Sequence, residues 1–156
     1  DLRRMVALRH HHPIIIIDSY WTASGEAFCP AALGMGFHIG PQGSIEICPP
    51  LSFATNRISD NNYNLEKTIT ESPFLKGFQT FVKERTKGCV ILEHPQELVE
   101  YIKGHGATDY STRDAFAEIG CGTPRHSQHM PGKEIPESYW LYRFLKNNVF
   151  FGMGAL

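Results

Sequence analysis

The chain has 156 residues, is 42% hydrophobic and 20% charged, and carries a formal net charge of −1. That length and composition supply a real core in one domain, or one domain plus part of another, and exclude a disordered chain. The near-neutral charge gives no electrostatic footprint for nucleic acid or an anionic membrane. The longest apolar run, Ile14 to Ile17, is too short to span a bilayer.

In chain order, Leu2, Met5, Val6 and Leu8 recur at helical spacing, and Pro13 stops that helix after the polar run His10-His11-His12. Ile14 to Ile17 is a continuous β-branched run suited to a strand buried on both faces of a parallel sheet. With no earlier strand to pair with and no initiator Met, this reads as the end of an α/β unit that begins outside the chain. Residues 37–48 predict a hairpin: Phe37 and Ile39 alternate before Gly40-Pro41-Gln42-Gly43, and Ile45 and Ile47 alternate after it. Residues 55–64 are polar and Asn-rich and predict a loop. Ser72-Pro73 opens a helix with a Phe74, Phe78, Phe81 and Val82 stripe, for which Gly88 is a fitting stop. A second helix over 96–103 buries Leu98, Val99 and Ile102. Residues 104–137, rich in Gly, Pro, His and Ser, predict a long wrapped loop. Ser138 then caps a last helix carrying Leu141, Phe144 and Leu145.

The chemistry lies in four cysteines, each beside a bend or strand end. Cys29 precedes Pro30, Cys48 precedes Pro49-Pro50, Cys89 follows Gly88, and Cys121 sits between Gly120 and Gly122. Nothing indicates secretion, and a chain this long does not need disulfides, so the thiols are expected to be reduced in a cytoplasmic protein. Thiolates gathered from separate turns suit an iron–sulfur cluster, which needs stiff backbone and amide N–H groups near the sulfurs. The competing reading of any one of them is a small buried hydrophobe.

The segment Cys29-x13-Gly43-x4-Cys48, with Phe37-His38-Ile39-Gly40-Pro41-Gln42-Gly43-Ser44-Ile45-Glu46-Ile47-Cys48-Pro49 across the hairpin, resembles the start of a SPASM or twitch domain. That domain is the auxiliary-cluster module at the C-terminal end of many radical S-adenosylmethionine (SAM) enzymes. The resemblance is carried by residues 29–50 and extends to Cys89. With the local patterns it gives an α/β (α+β) chain in three parts, the resemblance bearing on the first two. Residues 1–20 are the last helix and strand of a partial (β/α) barrel, 21–103 a hairpin and helix cluster module, and 104–156 a loop-rich extension ending in a helix. It also implies Cys29, Cys48, Cys89 and Cys121 as ligands of one [4Fe–4S] cluster, Cys29 and Cys48 matching the first two motif positions. The full SPASM pattern carries more cysteines than this chain has, so the likeness is to the shorter, twitch-like form. The Cys-x3-Cys-x2-Cys motif that holds the SAM-cleaving cluster is absent. SAM, an electron donor such as ferredoxin or flavodoxin, and an unidentified substrate therefore belong to a longer enzyme, and no catalytic residue is assigned.

A zinc-stabilised structural or interaction domain is the alternative. Cys121, His126 and His129, with Cys89 or His94 as fourth ligand, give a mixed set that tetrahedral zinc accepts, although the spacing matches no compact finger. A hydrolase triad through Ser19, Ser24 or Ser52 lacks a Gly-x-Ser-x-Gly elbow, and there is no Gly-x4-Gly-Lys phosphate loop. Tyr139, Trp140, Tyr142 and Phe144 read as core, and Glu134 and Glu137 as solvated.

Overall fold

The computed structural model describes residues 2–8, 11–12 and 20–149. Their secondary structure is mixed α and β. In chain order come α1 (Leu2–Leu8), β1 (His38–Ile39), β2 (Ile45–Glu46), β3 (Phe53–Ala54), a 3-10 turn (Ile58–Asn61), α2 (Leu65–Thr70) and α3 (Pro73–Lys83). They are followed by α4 (Val90–Glu93), α5 (Pro95–Gly104), β4 (Thr108–Asp109), α6 (Ala115–Gly120) and α7 (Trp140–Asn148). The expected strand at 14–17 lies outside the described residues. Among the described residues no helix is long and apolar enough to cross a membrane.

The chain divides into two compact units, one of Asp1–Phe28 with Gln128–Leu156, the other of Cys29–Ser127. The second holds the main apolar core, in which Phe53, Phe74, Phe78, Leu98 and Ile102 are fully buried. The predicted hairpin is present. β1 and β2 pair antiparallel in the register His38 to Glu46 and Ile39 to Ile45. Gly43, at φ +77°, takes the left-handed position that closes the turn. Its carbonyl accepts from Ile58 N–H at 2.8 Å and Ile45 N–H reaches Asn56 O at 3.0 Å, so a third stretch of chain covers the hairpin edge. Ile45 and Ile47 enter the core, with Cys29 and Cys48 packed against its margin.

Helix α3 begins where Ser72-Pro73 predicts, with the Ser72 hydroxyl accepting from Leu75 N–H at 3.4 Å. It ends at Lys83, five residues before Gly88. Helix α5 buries Leu98 and Ile102 as the pattern requires. Residues 104–137 depart from the expected unbroken loop. Thr108–Asp109 pairs antiparallel with β3, and Asp114 caps α6 by accepting from Ala117 N–H at 3.0 Å.

In the first unit, Glu137 N–H bonds to Ala23 O at 3.0 Å and the buried Lys146 ammonium donates to Trp21 O at 3.0 Å. Helix α7 turns its Tyr142 and Lys146 face inward and leaves Phe144 exposed, so the Leu141, Phe144 and Leu145 stripe read from the sequence is not its buried face. No Ser138 cap forms; Tyr139 holds the N-cap position without a side-chain bond.

Candidate metal centre

All four cysteines are free thiols; Cys29, Cys48 and Cys89 are half-buried and Cys121 is exposed. The first three come from separate elements. Cys29 opens a tight turn in which its carbonyl accepts from Leu33 N–H at 3.2 Å. Cys48 ends the returning arm of the hairpin and is bridged to Leu51 across Pro49-Pro50, with Leu51 N–H on Cys48 O at 2.9 Å. Cys89 is the N-cap residue of α4.

Electrostatics tie these three together. Burial pushes the Cys48 thiol up to about 12, and the neighbouring sulfurs of Cys29 and Cys89 push the same way. Leu51 N–H, directed at the sulfur, opposes them, while the Glu46 carboxylate adds a little to the rise. Cys29 is raised chiefly by burial, opposed by the N–H groups of Ala32 and Ala31, with Cys89 raising it further. Two half-buried thiols, each raised by burial and by a neighbouring sulfur, resist ionisation in the metal-free chain. A bound cation reverses that penalty, because metal binding replaces the protons.

This has a measurable consequence for the metal-free chain. Below the ordinary thiol value of 9.0, Cys48 is protonated in the folded and unfolded states alike. Above it the unfolded chain loses the proton first, so the stability tied to the folded thiol is full below 9.0 and is lost as pH rises towards about 12. The Tyr101 phenol, raised to about 12 by burial, acts in the same direction. Circular dichroism of metal-free protein is expected to show falling stability through this window, with a shallower fall in Cys48→Ala. An identical pH dependence in that variant contradicts the assignment.

A second set of bonds, not legible in the sequence, fixes Cys89. Its N–H donates to Ser127 Oγ at 2.7 Å, and the Ser127 hydroxyl and N–H both donate to Glu93 Oε1, at 2.7 and 2.8 Å. The other carboxylate oxygen of Glu93 accepts from the Thr86 hydroxyl at 2.6 Å, whose oxygen in turn accepts from Gly88 N–H at 2.8 Å. Burial alone would raise the Glu93 carboxyl, but these bonds outweigh it and hold it below its ordinary value. Thr86, two residues before Gly88, is a local signal for such a turn. Ser127, 38 residues beyond Cys89, has none.

A third network braces the hairpin below Cys48. Glu46, only 2% exposed, accepts from the Ser44 hydroxyl at 2.7 Å and pairs with His38 Nδ1 at 2.7 Å.

Cys121 is the exposed member of the four. It ends α6 and donates its thiol hydrogen to Glu118 O at 3.2 Å. Two of the three histidines of the zinc reading have neighbours of their own. His94 Nδ1 lies 2.9 Å from the Glu97 carboxylate, and the His129 ring packs on Trp21 with centroids 4.8 Å apart. Among the described residues no group of three or more His, Cys, Asp or Glu side chains is arranged around a single ion. Zinc requires that arrangement, since all its ligands lie about 2.0–2.3 Å from one atom. A cluster does not, because each thiolate binds a different iron and the sulfurs stay further apart. The chain matches no family model, no curated protein and no solved structure.

Proposed function

We propose that this chain is the C-terminal, twitch-like part of a radical SAM enzyme and holds one auxiliary [4Fe–4S] cluster. In this reading residues 1–20 close a partial (β/α) barrel, and the SAM-cleaving motif, SAM itself and the reducing partner belong to the rest of the enzyme. One observation carries the proposal: Cys29, Cys48 and Cys89, brought from three turns, share one electrostatic field, with backbone N–H groups facing the first two sulfurs. The chemistry of the thiols supports the reading. Half-buried thiols braced by short hydrogen bonds are what cluster ligation demands, and N–H groups aimed at sulfur lower the cost of the thiolate form.

Such a cluster, when bound, supplies either electron transfer or an open iron that anchors substrate. The chain's own residues set the conditions. The backbone N–H groups of Ala31, Ala32 and Leu51 favour the thiolate forms of Cys29 and Cys48, and Ser127, Glu93 and Thr86 hold the Cys89 turn in place. Because Cys121 is exposed and its thiol is bonded to Glu118 O, it is the dispensable member of the set.

Anaerobically purified protein is expected to be brown and to contain about four irons and four sulfides per chain. Zinc without iron would overturn the reading in favour of a structural domain. Cys121→Ala is expected to keep at least three irons per chain by the same assay. Complete loss of iron in that variant would make Cys121 an essential ligand.

A further inference from the structure

Beside the thiol-bearing turns the second unit carries a cleft of about 610 Å³, within the range of small-molecule sites. Pro50, Ile91, Ile119 and Pro124 give it apolar walls, and Arg113 and Arg125 stand along it. The two cations are not equivalent. Arg113 Nε is paired with the Glu118 carboxylate at 3.2 Å, and Glu118 also lines the cleft. Arg125 is anchored through its backbone, N–H to Leu92 O at 2.9 Å, while its guanidinium makes no hydrogen bond or ion pair among the described residues. The charged lining thus amounts to two arginines against one glutamate, a net charge of +1.

We infer that this cleft binds a small amphipathic monocarboxylate, its carboxylate on Arg125 and its apolar body against Ile91, Ile119 and Pro50. The planar guanidinium offers the two parallel donors a carboxylate accepts, and one uncompensated charge matches a monoanion and not a phosphate dianion. The apolar wall has no use in binding an inorganic ion, but it takes up an acyl or aryl body. Pro50 is two residues past Cys48 and Ile91 two past Cys89, so the walls continue the thiol-bearing turns. That the bound carboxylate is the enzyme's substrate rests on the cluster reading; the binding itself does not.

The test is calorimetric titration of the 156-residue chain with hexanoate, hexanamide and inorganic phosphate, with iron measured on the same samples. Hexanoate is expected to bind once per chain, and hexanamide and phosphate at least about tenfold more weakly. Arg125→Gln, at an exposed position, is expected to cost about tenfold in hexanoate affinity with an unchanged circular dichroism spectrum. Glu118→Gln leaves both arginines uncompensated and is expected to shift preference towards phosphate. Equal binding of hexanamide, undiminished hexanoate binding in Arg125→Gln, or no hexanoate binding by the wild type overturns the site. Binding without iron upholds the cleft while removing the cluster, and iron without binding does the reverse.

Discussion

Cys48→Ala is expected to lose most of the iron of the anaerobically purified protein, and Cys29→Ala to do the same. The argument is one of position. The hairpin carries Cys48 at the end of its returning arm, the register of β1 on β2 fixes which way that arm faces, and Cys29 opens the turn that reaches the same place. Without either sulfur, two turns remain to hold a group that needs several. The fold itself should survive. Neither residue is among the fully buried side chains, so truncating either thiol leaves little cavity in the core. Metal-free Cys48→Ala is therefore expected to melt close to wild type at neutral pH. Wild-type iron content in both variants would sink the cluster assignment, whereas an unfolded variant would show that the thiol is itself part of the core packing.

Gly40→Ala tests the scaffold under that site, and should destabilise the chain by about 2–6 kcal/mol. A Cβ at Gly40 would overlap Ser44 Oγ and Glu46 Oε1, neither of which can retreat. Ser44 and Glu46 are buried, bonded to each other, and held through His38. Overpacking a filled site costs about 1–3 kcal/mol. Leaving a buried carboxylate short of a partner costs about 1–3 kcal/mol more. Gly43 is the control. It has the unusual φ of +77° but open space around its Cα, so Gly43→Ala should cost only the strain, about 1 kcal/mol. Urea unfolding of the two variants decides. A larger loss at Gly43 would mean that turn conformation, not the buried carboxylate, governs this hairpin.

What the sequence disclosed followed the strength of its local signals. The hairpin, the Ser72 cap and the inward faces of α3 and α5 are written in adjacent residues, and each appears in the structure. Short elements escaped because little local pattern announces them. β3 and β4 are two residues each and exist only as partners separated by more than fifty residues, while α2 and α6 are six-residue helices set by single Asn and Asp caps. Helix α7 misled because its inward face includes a lysine, whose ammonium finds the Trp21 carbonyl from the far end of the chain. At the site, the grouping of Cys29 with Cys48 was legible from the hairpin. The exposure of Cys121 was not, since a glycine on either side of a cysteine says nothing about how deeply the loop is buried. Nor was the Ser127 brace, which joins residues that share no local motif.

The order in which the chain is made gives the two-unit division a temporal meaning. The unit that carries all four thiols is a single uninterrupted stretch, Cys29–Ser127, whereas the other is assembled from segments on either side of it. During synthesis the inner stretch is complete before the closing half of the outer unit has been translated. Domains fold as units as they emerge from the ribosome. The thiol-bearing unit is thus complete in translated sequence, down to the Ser127 brace at its very end, before α7 is made.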